Sequence, residues 1–378
     1  MGGGDSGMIG RLMAATALLA LASCVEPRPS QSAKAPAPAP SYVVAIPVPK
    51  PRPLPVNNAP RGLTASIQQL VRDFPGIAGV AVRAVDEGWT INANGRRLMP
   101  QQSVSKLWVA MTVLDQRDNG RLKLDDPVTV TAQDLTLFHQ PVAYLVKNGT
   151  WQTTVGNLLF RALTQSDNTA NDRLLNVVGG PGAVRAFIER KQLGDIRFGP
   201  GERLLQAGTA GLTWNQSMSV GNSFAIMRAK LPMETRTAAL QRYIDNPPDG
   251  AAPLAIADAL SRLVRGELLS ETSTRLIVST MESSRTGHAR LKAGLAPGWK
   301  LAHKTGTGQE LGSRNAGFND VGVVTSPDGR RYAVAVMIGD TTRPMRERQQ
   351  LIQAVASAVT GYRGPATIAT REMDDPEG

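Results

Sequence analysis

The amino-acid sequence predicts an α+β protein, in which helices flank an antiparallel sheet and an all-helical part is inserted between the strands. Two of the observations concern the ends of the domain. At each end, a segment whose apolar residues recur at helical spacing lies near two strand-like segments in the sequence. These terminal elements are a helix over 66–74, strands over 79–85 and 89–93, strands over 320–325 and 331–338, and a helix over 345–362. The third observation is the segment between them, roughly 102–290, whose pattern is mostly helical.

Turn residues and apolar spacing justify these elements in order along the chain. The first two strands are separated by Asp86-Glu87-Gly88, and the last two by Ser326-Pro327-Asp328-Gly329, both of which favour a tight reversal. The final helix is indicated by apolar residues at helical spacing, namely Leu351, Ile352, Val355 and Val359. We therefore expect one sheet built from both ends of the chain.

The composition is that of a globular protein and argues against a nucleic-acid partner. Of 378 residues, 42% are hydrophobic and 4% aromatic, so aliphatic side chains and alanine must fill most of the core. The formal net charge of +11 is scattered along the chain, without the basic stripe interleaved with aromatics that a nucleic-acid surface needs. We expect no nucleic-acid binding, and expect the charge to favour anionic small molecules or an anionic envelope surface.

Residues 1–24 predict a lipoprotein signal peptide. Arg11 precedes an apolar run over 12–22, which is too short to span a bilayer but suits the central region of a secretory signal. The run ends in Leu-Ala-Ser-Cys and resembles a bacterial lipoprotein signal, whose cysteine is acylated. Cys24 is the only cysteine, which excludes an internal disulfide. We expect an exported, periplasmic protein anchored to a membrane by lipid on Cys24, while an ordinary cleaved signal remains the alternative.

Three further divisions follow the signal. Residues 25–60 hold 11 of the 26 prolines and predict an extended linker. Residues 61–362 form the predicted catalytic domain, and the charged tail over 363–378 is predicted to be disordered. Within the domain, a resemblance to a known family implies that the stretch 207–249 contains an insertion of about thirty residues relative to common members of that family.

Ser103-Val104-Ser105-Lys106 is the first motif that indicates chemistry. If Ser103 opens the helix that follows, Lys106 lies one turn later and its amine faces the hydroxyl. A lysine can activate a serine when burial or nearby cations lower the lysine pKa enough to populate the neutral amine. The alternative for this motif alone is a helix cap beside a solvated lysine.

Two later motifs supply the other groups that such a nucleophile needs. Ser166-Asp167-Asn168, between two helical runs, offers a hydroxyl that can pass a proton and an amide that can bind substrate. Lys304-Thr305-Gly306-Thr307 follows a strand-like stretch, where Lys304 and Thr305 could hold a carboxylate and Gly306 could allow close backbone approach. Backbone N–H groups of Ser103 and Thr307 could form an oxyanion hole. Taken singly, these motifs are also consistent with turn chemistry and with an exposed strand end.

The order SxxK, SDN, KTG over about 61–362 resembles the class A β-lactamases among the penicillin-recognising serine hydrolases. Further stretches that resemble this family are 169–170, 179–181, 266–269 and 293–299. The resemblance implies a β-lactamase/transpeptidase-like fold and an acyl-enzyme on Ser103, with Lys106 as base or proton relay and Ser166 as proton donor to the leaving nitrogen. It also implies that Asn168 and residues 304–307 bind the substrate, which is a β-lactam or a peptidoglycan peptide.

The resemblance leaves the second half of the reaction open, because hydrolysis of the acyl-enzyme needs a glutamate that activates water. Glu202, 34 residues after Asn168, is the candidate. Its surroundings depart from the family pattern, with Gln206 where Asn is usual, Pro200 where Arg is usual, and Asp172 where Asn often occurs. A solvated loop carboxylate is therefore the alternative for Glu202.

The sequence also suggests roles for Arg290 and His303 and offers few metal ligands. By the resemblance, Arg290 pairs with the substrate carboxylate, unless it is a surface arginine, and His303 beside Lys304 is structural. No metal and no cofactor are expected, since three histidines without HExxH or clustered cysteines do not make a zinc site.

A serine β-lactamase that works as a monomer is the main hypothesis. The first alternative is a cell-wall D,D-peptidase, transpeptidase-like enzyme or SxxK esterase that deacylates poorly. The second is a non-catalytic envelope binding protein.

Overall fold

A computed structural model describes residues 58–146 and 148–362 of the chain. The signal peptide, most of the linker, Cys24 and the tail lie outside the described residues. Among the described residues, no helix combines the length and the apolar character that crossing a membrane would require.

The centre of the fold is a five-stranded antiparallel sheet with the order β2-β1-β11-β10-β7. Its strands are β1 Ile77–Ala84, β2 Thr90–Ala93, β7 Lys300–Thr307, β10 Phe318–Thr325 and β11 Arg331–Asp340. Strands β10 and β11 are buried along almost their whole length, because helices cover both faces of the sheet. The pairing of Val80 with Val336 joins the two ends of the domain.

The two terminal helices cover one face of the sheet. They are α1 Arg61–Asp73 and α11 Met345–Gly361, and their apolar stripes, including Ile67, Ile352 and Val355, pack on the outward residues of β1 and β11. Thr64 N donates to Pro60 O at the start of α1, so the helix begins five residues earlier than the predicted 66–74. Apolar periodicity starts later than the first hydrogen-bonded turn, which explains the difference.

The other face is covered by the inserted helical part. Its helices are α2 Lys106–Asp118, α3 Val155–Thr164, α4 Asn168–Val177, α5 Gly180–Arg190, α6 Glu202–Thr209, α7 Ser223–Lys230, α8 Met233–Asp245, α9 Pro253–Val264 and α10 Glu271–Glu282. Helix α2 is buried on every side between this part and the sheet, with Leu107, Met111 and Leu114 fully inaccessible. A helix that is apolar all round belongs in a core, which agrees with this position.

Three short strand pairs complete the secondary structure. They are β3 Met99–Pro100 with β6 Gly250–Ala251, β4 Pro127–Thr131 with β5 Thr150–Thr154, and β8 Glu310–Leu311 with β9 Arg314–Asn315. Short 3-10 helices cover Gln102–Ser105, Ala132–Asp134, Pro141–Leu145, Gln216–Ser219 and Leu291–Gly294. The predicted α+β class with a helical insert is confirmed, although the insert also contains the hairpin of β4 and β5, which the mostly helical pattern did not predict.

Candidate active site

The first motif places a serine and a lysine in direct contact at the start of α2. Ser103 lies in the 3-10 turn Gln102–Ser105, and α2 begins only at Lys106. Lys106 Nζ is 2.8 Å from Ser103 Oγ, and the lysine side chain is fully buried. The alternative of a solvated lysine is therefore wrong, because the whole side chain is buried and its amine contacts protein oxygens.

The second motif turns the chain between α3 and α4. Ser166 has a φ of 59°, in the left-handed region, and its Oγ accepts a hydrogen bond of 2.8 Å from Lys304 Nζ. The Asp167 carboxylate holds this turn by accepting from the backbone N–H groups of Ala170 and Val142. Burial raises the pKa of Asp167, which those hydrogen bonds oppose. The motif is thus a rigid turn that aims Ser166 at the third motif.

The third motif lies within β7, the edge strand of the sheet, and is not an exposed strand end. Lys304 and Thr305 are buried in β7, and Thr305 Oγ1 is 2.8 Å from Thr286 Oγ1. Burial, reinforced by the positive charge of Lys106, holds the pKa of Lys304 well below its ordinary value.

Gly306 allows close packing within the protein itself. A Cβ at this position would lie 2.3 Å from Gln101 O, so the glycine lets β7 approach the chain just before the nucleophile. Whether a substrate backbone lies along the open edge of β7 at Gly306 stays a prediction.

Glu202 is buried and in contact with the same lysine as the nucleophile. It is the first residue of α6 and is 4% exposed, and its Oε1 accepts from Lys106 Nζ. Its Oε2 accepts from Gln206 Nε2 at 3.3 Å. The alternative of a solvated loop carboxylate is wrong, because Lys106 and Gln206 hold the carboxylate in the interior.

Asp172, on α4, holds the start of α6 in place. Its two carboxylate oxygens accept from Glu202 N at 2.8 Å and from Arg203 N at 3.1 Å. These N–H groups have no partner within the helix, so the carboxylate acts as a cap supplied by another element. Burial, together with the nearby charge of Glu202, raises the pKa of Asp172. Two of the three departures from the usual residues, Gln206 and Asp172, therefore contact Glu202.

These groups meet at one cleft of ≈ 380 Å³. Of the predicted site residues, the cleft wall includes Ser103, Ser166, Asn168, Arg290, Thr305 and Thr307. Three further residues lie behind this wall and are connected to it by hydrogen bonds. Lys106 contacts Ser103, Lys304 contacts Ser166, and Glu202 contacts Lys106. Ser103 and Thr307, whose N–H groups are the predicted oxyanion donors, share this wall, and that role stays a prediction.

Comparison with known proteins agrees with this geometry. The model of the β-lactamase enzyme family matches residues 62–362. The chain belongs to the β-lactamase enzyme family. The extended-spectrum β-lactamase PER-1 of Pseudomonas aeruginosa is 30% identical over 295 residues, covering 78% of this chain and 85% of that protein. The β-lactamase CTX-M-8 of Citrobacter amalonaticus is 30% identical over 264 residues, covering 69% of this chain and 75% of that protein.

Solved structures show the same fold. A β-lactamase from Chitinophaga pinensis matches with a TM-score of 0.65 at 26% identity, over 79% of this chain and 98% of that one. The TLA-3 extended-spectrum β-lactamase matches with a TM-score of 0.66 at 25% identity, over 80% of this chain and 98% of that one. The predicted family, enzyme class and fold are thus confirmed.

Arg290 of this β-lactamase family member is an interior residue, so the surface alternative is wrong. Its guanidinium donates to Gly306 O at 2.9 Å and Asn319 O at 2.6 Å, and also to Thr307 Oγ1. It lies 3.8 Å from the centre of the Phe318 ring. Burial lowers the pKa of Arg290 to about 10, so it remains a cation at neutral pH. It lines the cleft, and its pairing with a substrate carboxylate stays a prediction.

His303 is a residue of β7 that does not line the cleft. Its Nδ1 is 2.8 Å from Asp320 Oδ1, and Asp320 Oδ2 also accepts from Leu291 N. Both side chains are buried, and neither belongs to the cleft wall. This position agrees with the structural role predicted for His303.

Several residues of the site were not predicted from the sequence. Phe138, His139, Thr286 and Gln309 line the cleft, and buried Asn319 donates to Pro100 O and Gln101 O beside the nucleophile. A signal existed for Asn319, because it and Asp320 interrupt an apolar strand with polar side chains that must find buried partners. The others lie in loops, where the sequence shows no pattern that indicates a cleft.

Proposed function

We propose that this protein is a serine β-lactamase that opens the β-lactam amide through an acyl-enzyme on Ser103. The observation that supports this most directly is the position of Lys106 Nζ, which contacts both Ser103 Oγ and the Glu202 carboxylate. One amine thereby connects the nucleophile with the group that would activate water. A site for acylation alone does not need the second contact.

In the proposed acylation, Ser103 Oγ attacks the β-lactam carbonyl carbon while its proton passes to the Lys106–Glu202 pair. The N–H groups of Ser103 and Thr307 would hold the developing oxyanion. The C–N bond then breaks, and Ser166 gives its proton to the nitrogen. Lys304 Nζ, 2.8 Å from Ser166 Oγ, orients this hydroxyl by donating a hydrogen bond. The proton taken from Ser103 then passes on from the Lys106–Glu202 pair to restore Ser166, which leaves Glu202 as a carboxylate.

In the proposed deacylation, the Glu202 carboxylate takes a proton from a water molecule that attacks the acyl carbonyl. The bond to Ser103 Oγ breaks, and the hydroxyl recovers its proton from Lys106 or Glu202. Glu202 suits this task because α6, capped by Asp172, and Gln206 hold it from two sides.

Substrate binding is assigned to the cleft wall. Thr305, Thr307 and Arg290 would take the substrate carboxylate, since a buried guanidinium offers a fixed positive charge at this edge. Lys304 and the Gly306 segment would hold the same end of the substrate through β7. Asn168 would bind the amide of the acyl side chain from the opposite wall.

The experiment compares hydrolysis of the chromogenic cephalosporin nitrocefin by the wild type, Ser103→Ala and Glu202→Gln. We expect turnover by the wild type, no covalent adduct with Ser103→Ala, and an adduct that persists with Glu202→Gln, as measured by intact-protein mass spectrometry. Glu271→Gln, which changes an exposed glutamate on α10, is the matched control and should behave as the wild type.

Other outcomes decide between the alternatives. A long-lived adduct in the wild type would support the D,D-peptidase or esterase alternative, in which water reaches the acyl group slowly. Hydrolysis by Ser103→Ala would overturn the nucleophile. Absence of both turnover and adduct in the wild type would favour the non-catalytic binding protein.

We propose further that the enzyme is exported to the periplasm as a monomer and anchored by lipid on Cys24. The short apolar run over 12–22 that ends at this cysteine, and the proline-rich segment after it, support the proposal. Cys24→Ser should move the protein from the membrane fraction to the soluble fraction, whereas continued sedimentation with membranes would contradict the lipid anchor. Size-exclusion chromatography with light scattering of the released protein tests the monomer.

A further inference from the structure

Tyr243 is a buried tyrosine on α8 whose hydroxyl makes two polar contacts. Its ring packs with Leu205, Leu240 and Ile244, and it is 5% exposed. The hydroxyl accepts a hydrogen bond of 2.7 Å from Gln102 Nε2 and donates one of 3.1 Å to Asp249 Oδ2. Tyr243 does not line the cleft, yet its hydroxyl contacts the residue next to the nucleophile.

Gln102 is held in a single orientation. Its φ of 54° lies in the left-handed region, and its backbone N donates to Asp249 Oδ2 at 2.8 Å. Its side-chain Nε2 lies 3.3 Å from Ala316 O as well as contacting Tyr243, so this end of the amide must be the donor. Its Oε1 therefore faces the opposite way and accepts from Gln206 Nε2 at 2.9 Å.

Gln206 connects the oriented amide of Gln102 with the Glu202 carboxylate. The same Nε2 group lies 3.3 Å from Glu202 Oε2, while Gln206 Oε1 accepts from Gln309 Nε2 at 3.0 Å. Both ends of the Gln206 amide are thus assigned, and the amide nitrogen bridges Gln102 and Glu202. Every group in this series is buried, where an unpaired polar atom is costly and each partner constrains the next.

We propose that Tyr243 is a positioning residue for deacylation: by fixing the Gln102 amide, it sets Gln206 and thereby holds the Glu202 carboxylate in its place. This inference rests on the proposed function, because it assigns Glu202 the activation of water. It also gives a role to the segment 207–249, whose contribution the sequence could not assign. Tyr243 itself touches neither the substrate nor the reacting atoms.

Tyr243→Phe tests the inference, since it removes only the hydroxyl and keeps the ring that packs in the core. We expect deacylation of a nitrocefin acyl-enzyme to slow about tenfold, which is the effect of one buried hydrogen bond on a rate. The acylation rate, measured by stopped flow, should change less than about twofold. Because only deacylation slows, kcat and KM should fall together, and mass spectrometry should detect the acyl-enzyme at steady state.

The matched control is Tyr332→Phe, a buried tyrosine packed between Trp89 and Trp299 and remote from the cleft. It should leave both rates unchanged. Loss of acylation and deacylation by the same factor in Tyr243→Phe would overturn the inference in favour of a purely structural role. Unchanged deacylation would overturn it too.

A second variant keeps the inference falsifiable if Tyr243→Phe fails to fold, as a thermal melt would reveal. Gln206→Met removes the bridging amide and should produce the same accumulation of acyl-enzyme. Where Tyr243→Phe does fold, its effect and that of Gln206→Met should not add in the double variant, since both act through one series of contacts. Additive effects would contradict the coupling.

Failure of this inference is distinguishable from failure of the proposed function. If the wild type turns over through Ser103 and Glu202→Gln retains the adduct, a wild-type rate in Tyr243→Phe overturns only the role of Tyr243. If Glu202→Gln deacylates normally, the assignment of Glu202 fails, and the inference fails with it.

Discussion

At the scale of single residues, Arg290 is unusual because its charged guanidinium is buried beside the cleft. It links β7 to β10 through two backbone carbonyls and approaches Thr307. A planar guanidinium can reach all three oxygens at once, whereas a lysine amine is a single point. The geometry of the cleft edge therefore depends on the type of cation and not only on its charge.

Arg290→Lys should raise the KM for nitrocefin about tenfold with little change in kcat, and should lower the free energy of unfolding by about 1–3 kcal/mol. Steady-state kinetics and urea titration measure the two effects. Arg275→Lys, at an exposed position on α10, is the control and should change neither. A wild-type KM in Arg290→Lys would argue against contact with the substrate carboxylate.

Asp249 is the second residue with unusual electrostatics. It accepts from Gln102 N and the Tyr243 hydroxyl, but its Oδ1 has no partner among the described residues, and no cation pairs with the carboxylate there. Burial raises the pKa of Asp249 from 3.8 to about 7. The folded state therefore binds a proton between these pH values, while the unfolded state does not.

The free energy of unfolding should accordingly fall as pH rises from about 4 to about 7, since the buried carboxyl must then ionise. Asp249→Asn should remove this part of the pH dependence, because the amide oxygen still accepts the two hydrogen bonds without ionising. Urea midpoints between pH 4 and 8 test this. Asp245→Asn, an exposed aspartate on α8, should retain the wild-type slope.

At the scale of elements, the start of α6 decides where Glu202 points. Gly201, the residue before it, has a φ of 100°, and a Cβ there would lie 3.0 Å from Leu175 Cδ2 and 3.4 Å from Asp172 Oδ1. The absence of a side chain thus lets α6 lie against α4, where Asp172 caps it. A helix could not begin here in the same orientation with a larger residue.

Gly201→Ala should lower the free energy of unfolding by about 1–3 kcal/mol and slow deacylation, since strain at a positive φ and the contact with Asp172 both displace Glu202. The control is Gly208→Ala in the same helix, where a Cβ meets nothing within 4 Å. That change should be neutral or slightly stabilising. Equal effects of the two substitutions would show that the N-terminal turn has no special role.

At the scale of the whole molecule, one sheet joins segments from both ends of the domain. Strand β1 pairs with β11, and α1 packs beside α11, so the domain is complete only when both termini are present. The large core clusters and all predicted site residues except Cys24 lie within 58–362.

A chain that starts at residue 58 should therefore keep the Tm and the nitrocefin kinetics of the longer chain. A chain that starts at residue 75 also loses α1, whose Ile67 and Val71 are buried, and its Tm should fall by many degrees. Thermal melts of both measure this. A large drop in Tm for the first truncation would mean that the linker contributes to folding.

The sequence by itself determined the fold class, the order of the three motifs and the candidate nucleophile. Periodic apolar residues mark α1, α11 and the paired strands, because each element must bury one face whatever its partner. The positions of Ser103 and Lys106 follow from one helical turn, which is a local constraint. Three motifs in a fixed order then indicate a family, although each alone is ambiguous.

Only the tertiary structure decided which polar residues are buried and what they contact. Burial of Glu202 and Arg290, the close fit of Gly306 against Gln101 and the contacts from Tyr243 to Glu202 all join segments far apart in the chain. A charged residue in a loop has the same local pattern whether water or protein surrounds it, so the sequence leaves both outcomes open. The difference arises when helices α4, α6 and α8 pack together and exclude water, which makes each buried polar atom depend on a partner from another helix or strand.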